Sequence, residues 1–340
     1  MAIKSSGTQL SFTEIEQEFG SNGERSLGDY RLTQNVGELS GLPLDNGIPT
    51  GSNDEIKFSD FYGKKLNVVV DCFSGGDEFH KNAKNDKWNN NNVTVIGGFR
   101  SKKESGSKII IHVNKKFGSD KNNVNRCALR TGSWSSIDSM QIDVGSSGRC
   151  LGAGGNGGNG AVFNNDDIQV NGFTGTSGLG VEVNNTVVNV VSGGILRAGF
   201  GGGGGGGAGR QTDKGEDRKS SGGGGGGGQG FPGGLGGIRG STSISNTQGQ
   251  NTNGSAGDES EAGEGGNGSQ NASEAYGGAG GEGGSFGEGA NAGSGGAGKQ
   301  TEEAGSGGGD GAALRRTSGF AITINNSGTI QGSTSATTVD

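Results

Sequence analysis

The sequence predicts a mainly β protein in three parts: short N-terminal helices, a small antiparallel β-sandwich or prism, and a glycine-rich polyglycine-II helix bundle with β-hairpin repeats. Three observations lead there. Of 340 residues, 80 are glycine, against a usual share of about 7%. Only 27% are apolar, too few to offset the ordering entropy of one large core. The apolar residues concentrate in short alternating runs, the mark of strands with one buried face. With three prolines and no strict three-residue glycine period, collagen is excluded. No apolar run approaches the about 18 residues of a membrane span. The opening MAIKSSGTQLSF lacks a signal-peptide apolar stretch, so cytosolic synthesis is expected.

In residues 1–65 a five-residue pattern recurs: Ser-Phe-Thr-Glu-Ile (11–15), Ser-Leu-Gly-Asp-Tyr (26–30) and Lys-Phe-Ser-Asp-Phe (57–61). Thr13 and Ser59 suit N-caps, each with an acid in the first turn. Thr13–Glu16 fits a capping box, and Phe12 and Phe58 stand where a staple contact forms. Gly20 and Gly63 end these helices. Asn46-Gly47 signals a tight turn between them. With so few apolar residues, this part is expected to dock on a partner or on copies of itself.

Residues 66–150 hold five short β-branched runs: LNVVVDCF (66–73), NVTVIGGF (92–99), SKIIIHV (107–113), NRCALRT (125–131) and DSMQIDV (138–144). Polar turns separate them, which predicts the antiparallel sandwich or prism. Trp88 and Trp134 are read as closing the ends of its core.

Residues 151–340 are dominated by glycine, with 46 in the stretch 201–311, and nothing else in Gly201–Gly207 or Gly222–Gly228. Phe200, Phe231, Leu235, Ile238, Phe286 and Leu314 punctuate the segment, as residues at rod ends would. An internal repeat frames it. Ile142, Val144, Gly148, Cys150 and Gly152 share a spacing with Val188, Val190, Gly194, Leu196 and Ala198, and with Ile322, Ile324, Gly328, Ile330 and Gly332. This reads as three strand–turn–strand units packed into one base, with glycine-rich excursions 153–187 and 199–321 projecting from it. Extended three-residue-per-turn helices have no internal hydrogen bonds, so their amides need partners elsewhere. With hydrogen as the only side chain, such helices can lie close enough to bond sideways. Gly201, Gly204, Gly207, Gly222, Gly225 and Gly228 are the expected scaffold positions. Glycine loses the most conformational entropy on ordering; sideways bonds of about 0.5–1.5 kcal/mol net each offset this.

Charge is uneven. Residues 201–311 carry thirteen acids and six bases, the whole of the chain's net −7. Residues 100–130 carry nine bases and two acids, read as a solvated basic face; aromatic interleaving of a nucleic-acid platform is missing. Cys72, Cys127 and Cys150 show no metal-ligand spacing and read as buried thiols. His80 and His112 have no nucleophile motif nearby. No enzyme, cofactor or metal site is expected.

The glycine-rich excursions and the closing GFAITINNSGTIQG (319–332) resemble the tip adhesins of T-even-type bacteriophage long tail fibres. IKFSDFYGKKL (56–66) with PLDNGIPT (43–50) looks like the opening of tail fibre and adhesin proteins of marine phages. The resemblance implies a virion protein of the host-facing tail. A polyglycine-II sandwich would display tip loops to the host, and an N-terminal part would be fixed to the fibre or tail. The segment 66–150 departs from the T-even adhesins. Implied partners are other tail or fibre proteins through residues 1–65, and a bacterial surface glycan or outer-membrane protein. The chain would act as a monomer or trimer, without nucleic acid or membrane insertion.

On that reading the receptor-binding loops are 210–221 and 241–253, followed by 267–276 and 299–306, since recognition sits on loops held by rigid scaffolds. Candidate residues are Arg210, Asp213, Lys214, Glu216, Asp217, Arg218 and Lys219, then Ser243, Asn246, Gln248, Asn251 and Asn253, and Tyr276. The cations suit phosphates and the acids suit hydroxyls or a cation. The alternative is a structural tail or baseplate component whose glycine bundle is a rigid spacer. The expected partition is 1–65 attachment region, 66–150 small β domain and 151–340 glycine-rich domain.

Overall fold

The computed structural model describes residues 3–19, 27, 48–49, 53–65, 67–72, 77–88, 105–121, 123–163, 168–213, 216–241, 247–248, 251–271 and 275–339. The Asn46-Gly47 turn, the 92–99 run and most of the 26–30 motif lie outside these residues, as do Lys214, Ser243 and Asn246.

The N-terminal helices form where expected, with different caps. Helix α1 spans Phe12–Phe19, and a 3-10 helix spans Phe58–Phe61. Ser11, one residue before α1, forms the capping box: its N–H donates to Glu14 Oε2 (2.8 Å) and the Glu14 N–H donates back to Ser11 Oγ (3.4 Å). Thr13 is therefore inside the helix. Lys57 caps the second helix, its N–H bonded to Asp60 Oδ2 at 2.7 Å, and Ser59 is likewise internal. Phe12 and Phe58 meet edge to face, ring centroids 4.9 Å apart. Gly63 follows the second helix with a left-handed φ of 70°, the conformation glycine adopts without penalty.

From residue 67 the chain winds as a three-sided parallel β-solenoid of five rungs. The first rung is β1 (Asn67–Cys72), β2 (Glu78–Phe79) and β3 (Lys81–Asn82). The second is β4 (Lys108–Val113), β5 (Lys116–Gly118) and β6 (Cys127–Arg130). The third is β7 (Ser139–Val144), β8 (Arg149–Leu151) and β9 (Ser177–Val181). The fourth is β10 (Thr186–Val190) and β11 (Ile195–Arg197), completed after a long excursion by β18 (Leu314–Arg316). The fifth is β19 (Ile322–Asn326), β20 (Thr329–Gln331) and β21 (Ala336–Thr337). Each strand of a rung enters a different sheet. The sheets read β1-β4-β7-β10-β19, β2-β5-β8-β11-β20 and β3-β6-β9-β18-β21, every pairing parallel.

The antiparallel sandwich is thus corrected. Alternation in a strand reports one buried face and is silent about the direction of its neighbour. The polar turns are solenoid corners, after which the chain pairs with the rung before it rather than folding back on itself. The repeat units are corners for the same reason, not hairpins. Their stacking is otherwise close to the expected one. Cys150, Leu196 and Ile330 lie in register. The third unit slips by two residues in its first strand, so Val188 faces Ile142 and Ile324. A two-residue slip keeps the same face inward. Strands from either side of residue 150 share all three sheets.

The core fills this tube. Ile111, Val113, Phe117, Ile142, Cys150, Leu179, Val188, Leu196 and Leu314 are buried in one cluster, and Ile15, Phe19 and Phe61 join it. The apolar face of the N-terminal helices is therefore spent within the chain. Cys127 and Cys150 are fully buried. Three bases of the basic stretch make ion pairs within the chain: Lys115 with Glu78, Arg126 with Asp120 (3.1 Å) and Arg130 with Glu182 (2.5 Å).

Both glycine-rich insertions leave from one corner, between the second and third sheets. His80 alone turns it in the first rung, with φ 47°. Residues 152–176 fill it in the third and 198–313 in the fourth. There the chain runs as ten extended segments: 153–161, 168–176, 199–208, 221–229, 233–240, 252–258, 262–269, 277–284, 289–297 and 302–311.

Their backbone bonds repeat every three residues. Gly202, Gly203 and Gly204 donate in turn to Phe173, Gly226 and Asn291 carbonyls, at 2.9, 2.8 and 2.9 Å. Gly205, Gly206 and Gly207 repeat the sequence with Val170, Gly223 and Ser294 of the same three neighbours. Carbonyls of 199–207 accept from three further segments, through Gly155, Gly281 and Gly308 among others. The segment has six neighbours. Residues 221–229 also have six, donating to 153–161, 252–258 and 277–284 and accepting from 199–208, 233–240 and 262–269. These two enclosed segments contain the uninterrupted glycine runs. A Cβ on Gly204 would collide with the Gly305 carbonyl oxygen, and one on Gly225 with that of Gly203.

Outer segments keep glycine only toward neighbours. In 233–240 Leu235 and Ile238 occupy the third position, 58% and 65% exposed; they are mid-segment residues, not rod ends. Amides that point past a neighbour's backbone are met by side chains. Asn156 and Asn159 accept from the Leu235 and Ile238 N–H groups (both 2.9 Å), Asn171 from Ser306, and Ser294 from Ala279.

Gly225→Val should lower the melting temperature steeply or prevent folding, since overpacking costs about 1–3 kcal/mol or more. Gly295→Ala, with no atom near its added Cβ, should leave it within a degree or two; thermal denaturation compares them. Lys4, 2.7 Å from Glu14, and the Ser11 bonds hold the Glu14 carboxyl down to about 2, from 4.5. A depressed carboxyl stabilises above its unfolded value and loses that as pH falls through the folded one. Melting temperature should therefore decline between about pH 4.5 and 2, less steeply in Glu14→Gln.

Candidate functional site

Two ends of the glycine segments differ in kind. At the solenoid end, turns tie the segments to the second sheet. Phe231 stacks on Phe79 (5.2 Å) beneath the Lys116 ammonium, 3.8 Å above its ring. Glu259 accepts from Lys116 and Arg149, each at 3.2 Å. Gln229 joins the turns, donating to the Glu259 and Ser260 carbonyls and accepting from the Phe286 N–H. Phe286 meets Phe200 edge to face at 6.5 Å. Arg197 is buried nearby, and desolvation lowers its pKa. Phe200, Phe231 and Phe286 are rod-end residues as expected, while Leu314 belongs to β18.

At the far end, five connections converge. Strand β12 (Gly209–Asp213) and β13 (Glu216–Ser220) form an antiparallel hairpin, and β17 (Gln300–Thr301) pairs along β12. A second small sheet joins β14 (Thr247–Gln248), β15 (Gln270–Asn271) and β16 (Ala275–Tyr276). Tyr276 bridges in turn to Ala297. The 162–163 turn reaches the same surface through Phe163.

Arg210 organises this end. Its guanidinium makes a bidentate pair with Asp217, Nε to Oδ1 at 2.7 Å and Nη2 to Oδ2 at 3.1 Å. Nη1 donates to Gln300 Oε1 at 3.2 Å, and the guanidinium carbon lies 5.3 Å from the Phe163 ring centre. The forked geometry suits a carboxylate and the flat ion suits an aromatic face. Hydrogen bonding from Arg210 holds the Asp217 carboxyl below its usual range. Lys299 donates to the Thr212 carbonyl (2.9 Å), pinning β17 to the hairpin, and Lys219 lies 3.7 Å from Asp217. Tyr276 is 38% exposed. The surface is a fixed array of cation, carboxylate, amide and aromatic groups.

Of the sequence candidates, Arg210, Asp217, Arg218 and Lys219 share the hairpin, and Tyr276 lies on the second sheet beside it. Asp213 and Glu216 close the hairpin's strands, and Gln248 lies in β14. Asn251 and Asn253 serve the scaffold. Asn251 Nδ2 donates to Ser221 Oγ and the Gly240 carbonyl, and Asn253 accepts from the Arg239 N–H. Phe163 escaped the sequence reading; its position after GGNGGNGAV, just past the last glycine of its segment, was the available signal. Among the described residues no cluster of His, Cys, Asp and Glu could hold a metal ion.

Residues 78–335 match the model of the phage tail fibre adhesin Gp38 family. No curated protein matches the chain. The crystal structure of the gp37-gp38 adhesin tip complex of the bacteriophage S16 long tail fiber is similar over 98% of this chain and 99% of that one, at 16% identity and a TM-score of 0.40. With most of its length, from β2 to β20, inside the matched region, the chain belongs to the Gp38 family of phage tail fibre adhesins.

Proposed function

We propose that the chain is the host-recognising tip of a phage tail fibre. The glycine segments are polyglycine-II helices, bundled into a stiff head about 25 Å long for eight residues at about 3.1 Å each. The convergence of five connections at one end of that head, opposite the solenoid, carries the reading. The ligand is a bacterial surface glycan or an exposed loop of an outer-membrane protein, and no reaction is performed on it. Arg210, Arg218 and Lys219 supply donors for phosphate or carboxylate, while Phe163 and Tyr276 supply flat faces for a sugar ring. The Arg210–Asp217 fork fixes the hairpin before the ligand arrives, which lowers the ordering entropy lost on binding. The residues fall into three functional parts: the N-terminal helices, the solenoid and the glycine head. Tail-fibre proteins are the structural partners, as gp37 is for gp38 in the S16 complex.

Virions carrying Arg210→Ala together with Tyr276→Ala should adsorb to host cells at least tenfold more slowly, with an unchanged melting temperature of the purified chain. Unchanged adsorption would assign recognition elsewhere and leave the head as a spacer. Asp217→Asn should speed amide exchange across 209–220 while sparing 201–207, where exchange should be orders of magnitude slower than in a free peptide. Fast exchange in both runs would sink the bundle.

A further inference from the structure

The two ends of the solenoid are finished differently. At the first rung, α1 and the 3-10 helix place Ile15, Phe19 and Phe61, all fully buried, in one cluster with Val70 and Ile109. At the last rung, β19, β20 and β21 are the final strands of their sheets. Ile322, Ile324 and Ile330 continue the core there but are only partly buried, whereas Val188, Val190 and Leu196 one rung earlier are closed off. Each edge strand carries a row of backbone groups with no described strand beyond it. The chemistry of the edge is also distinctive. Residues 317–339 contain no charged residue and no proline, in a chain that is 19% charged. Exposed edges are ordinarily blunted by lysine, proline or a bulge, because an unblunted edge is a template for strand addition.

We infer that the last rung, Ile322–Thr337, is the face by which the chain is mounted on a β-structured carrier protein of the fibre. The carrier adds strands to β19 and β20 and covers Ile322, Ile324 and Ile330 with apolar side chains. An uncharged edge calls for an uncharged strand, since a buried unpaired charge on the partner would be left desolvated. The N-terminal helices are poorly placed for that role, their apolar face being already used to close the first rung. This rests on the reading of the chain as a fibre-mounted adhesin.

The test uses the full chain and virions from a phage lacking it. Purified chain is added to those virions, and the amount retained is measured after gradient sedimentation. Thr323 and Thr329 are exposed, so Thr323→Lys/Thr329→Lys places a charge on each of two edges without entering the core. Wild type and Ser6→Lys, an exposed N-terminal control, should be retained equally. The double variant should fall at least tenfold with its melting temperature unchanged. Ile324→Lys should fall further, and its melting temperature reports whether folding is the cause. Equal retention of the double variant overturns the proposal. So does slow amide exchange in β19 and β20 of the isolated chain, which would mean that a segment of the chain itself covers the edge. Self-association in sedimentation velocity that the double variant abolishes would also overturn it, in favour of a second copy. Host adsorption of the complemented virions is scored separately: retention without adsorption removes the recognition reading and leaves the mount standing.

Discussion

The head of this protein depends on backbones approaching until carbonyl oxygens occupy the space where a neighbour's Cβ would be. Stability there comes from directional bonds between amides, about as dense as in a β-sheet but spread over three directions around each segment. An ordinary core tolerates changes of a methyl group at modest loss. Here the tolerance at enclosed positions is zero atoms, because the obstructing group is main chain and cannot change rotamer. The solenoid obeys the opposite rule, filling its tube with Ile, Val, Leu and Phe. The chain therefore joins a side-chain core to one made of main chain.

This constraint explains composition locally. A segment with six neighbours has no outward direction and is written Gly-Gly-Gly, as in Gly222–Gly228. One at the boundary is written Gly-Gly-X, with Leu235 and Ile238 free to point outward. The identity of X is constrained again where an amide would face solvent without a neighbouring carbonyl. Asn156, Asn159 and Asn171 reach sideways to such amides, completing the hydrogen-bond accounting that extended backbone demands.

What was legible in the sequence follows the same physics. Glycine runs, helix positions and the register of Cys150 with Leu196 and Ile330 are local signals, and each has a local counterpart in the structure. Strand direction is not local. Val188 packs against Ile142 and Ile324 only because the chain circles a tube between visits, and nothing in VVNVV encodes that circuit. At the far end, charge pointed to Arg210 and Asp217, which bond each other across the hairpin, and polarity pointed to Asn251 and Asn253, which bond Ser221, Gly240 and Arg239 of neighbouring segments. Composition does not say which partner a polar residue takes.

One corner of the solenoid is turned by a single His80 in the first rung and hosts both glycine-rich excursions, residues 152–176 in the third and 198–313 in the fourth. Lengthening a connection there leaves the strands before and after it stacked as they were, and closing a longer loop adds only slowly to the entropy lost. The corner behaves as an insertion port. Material can enter or leave the gene in pairs of glycine-rich segments with their joining turn, so the reach and variety of the displayed loops can evolve quickly while the rungs beneath stay in register.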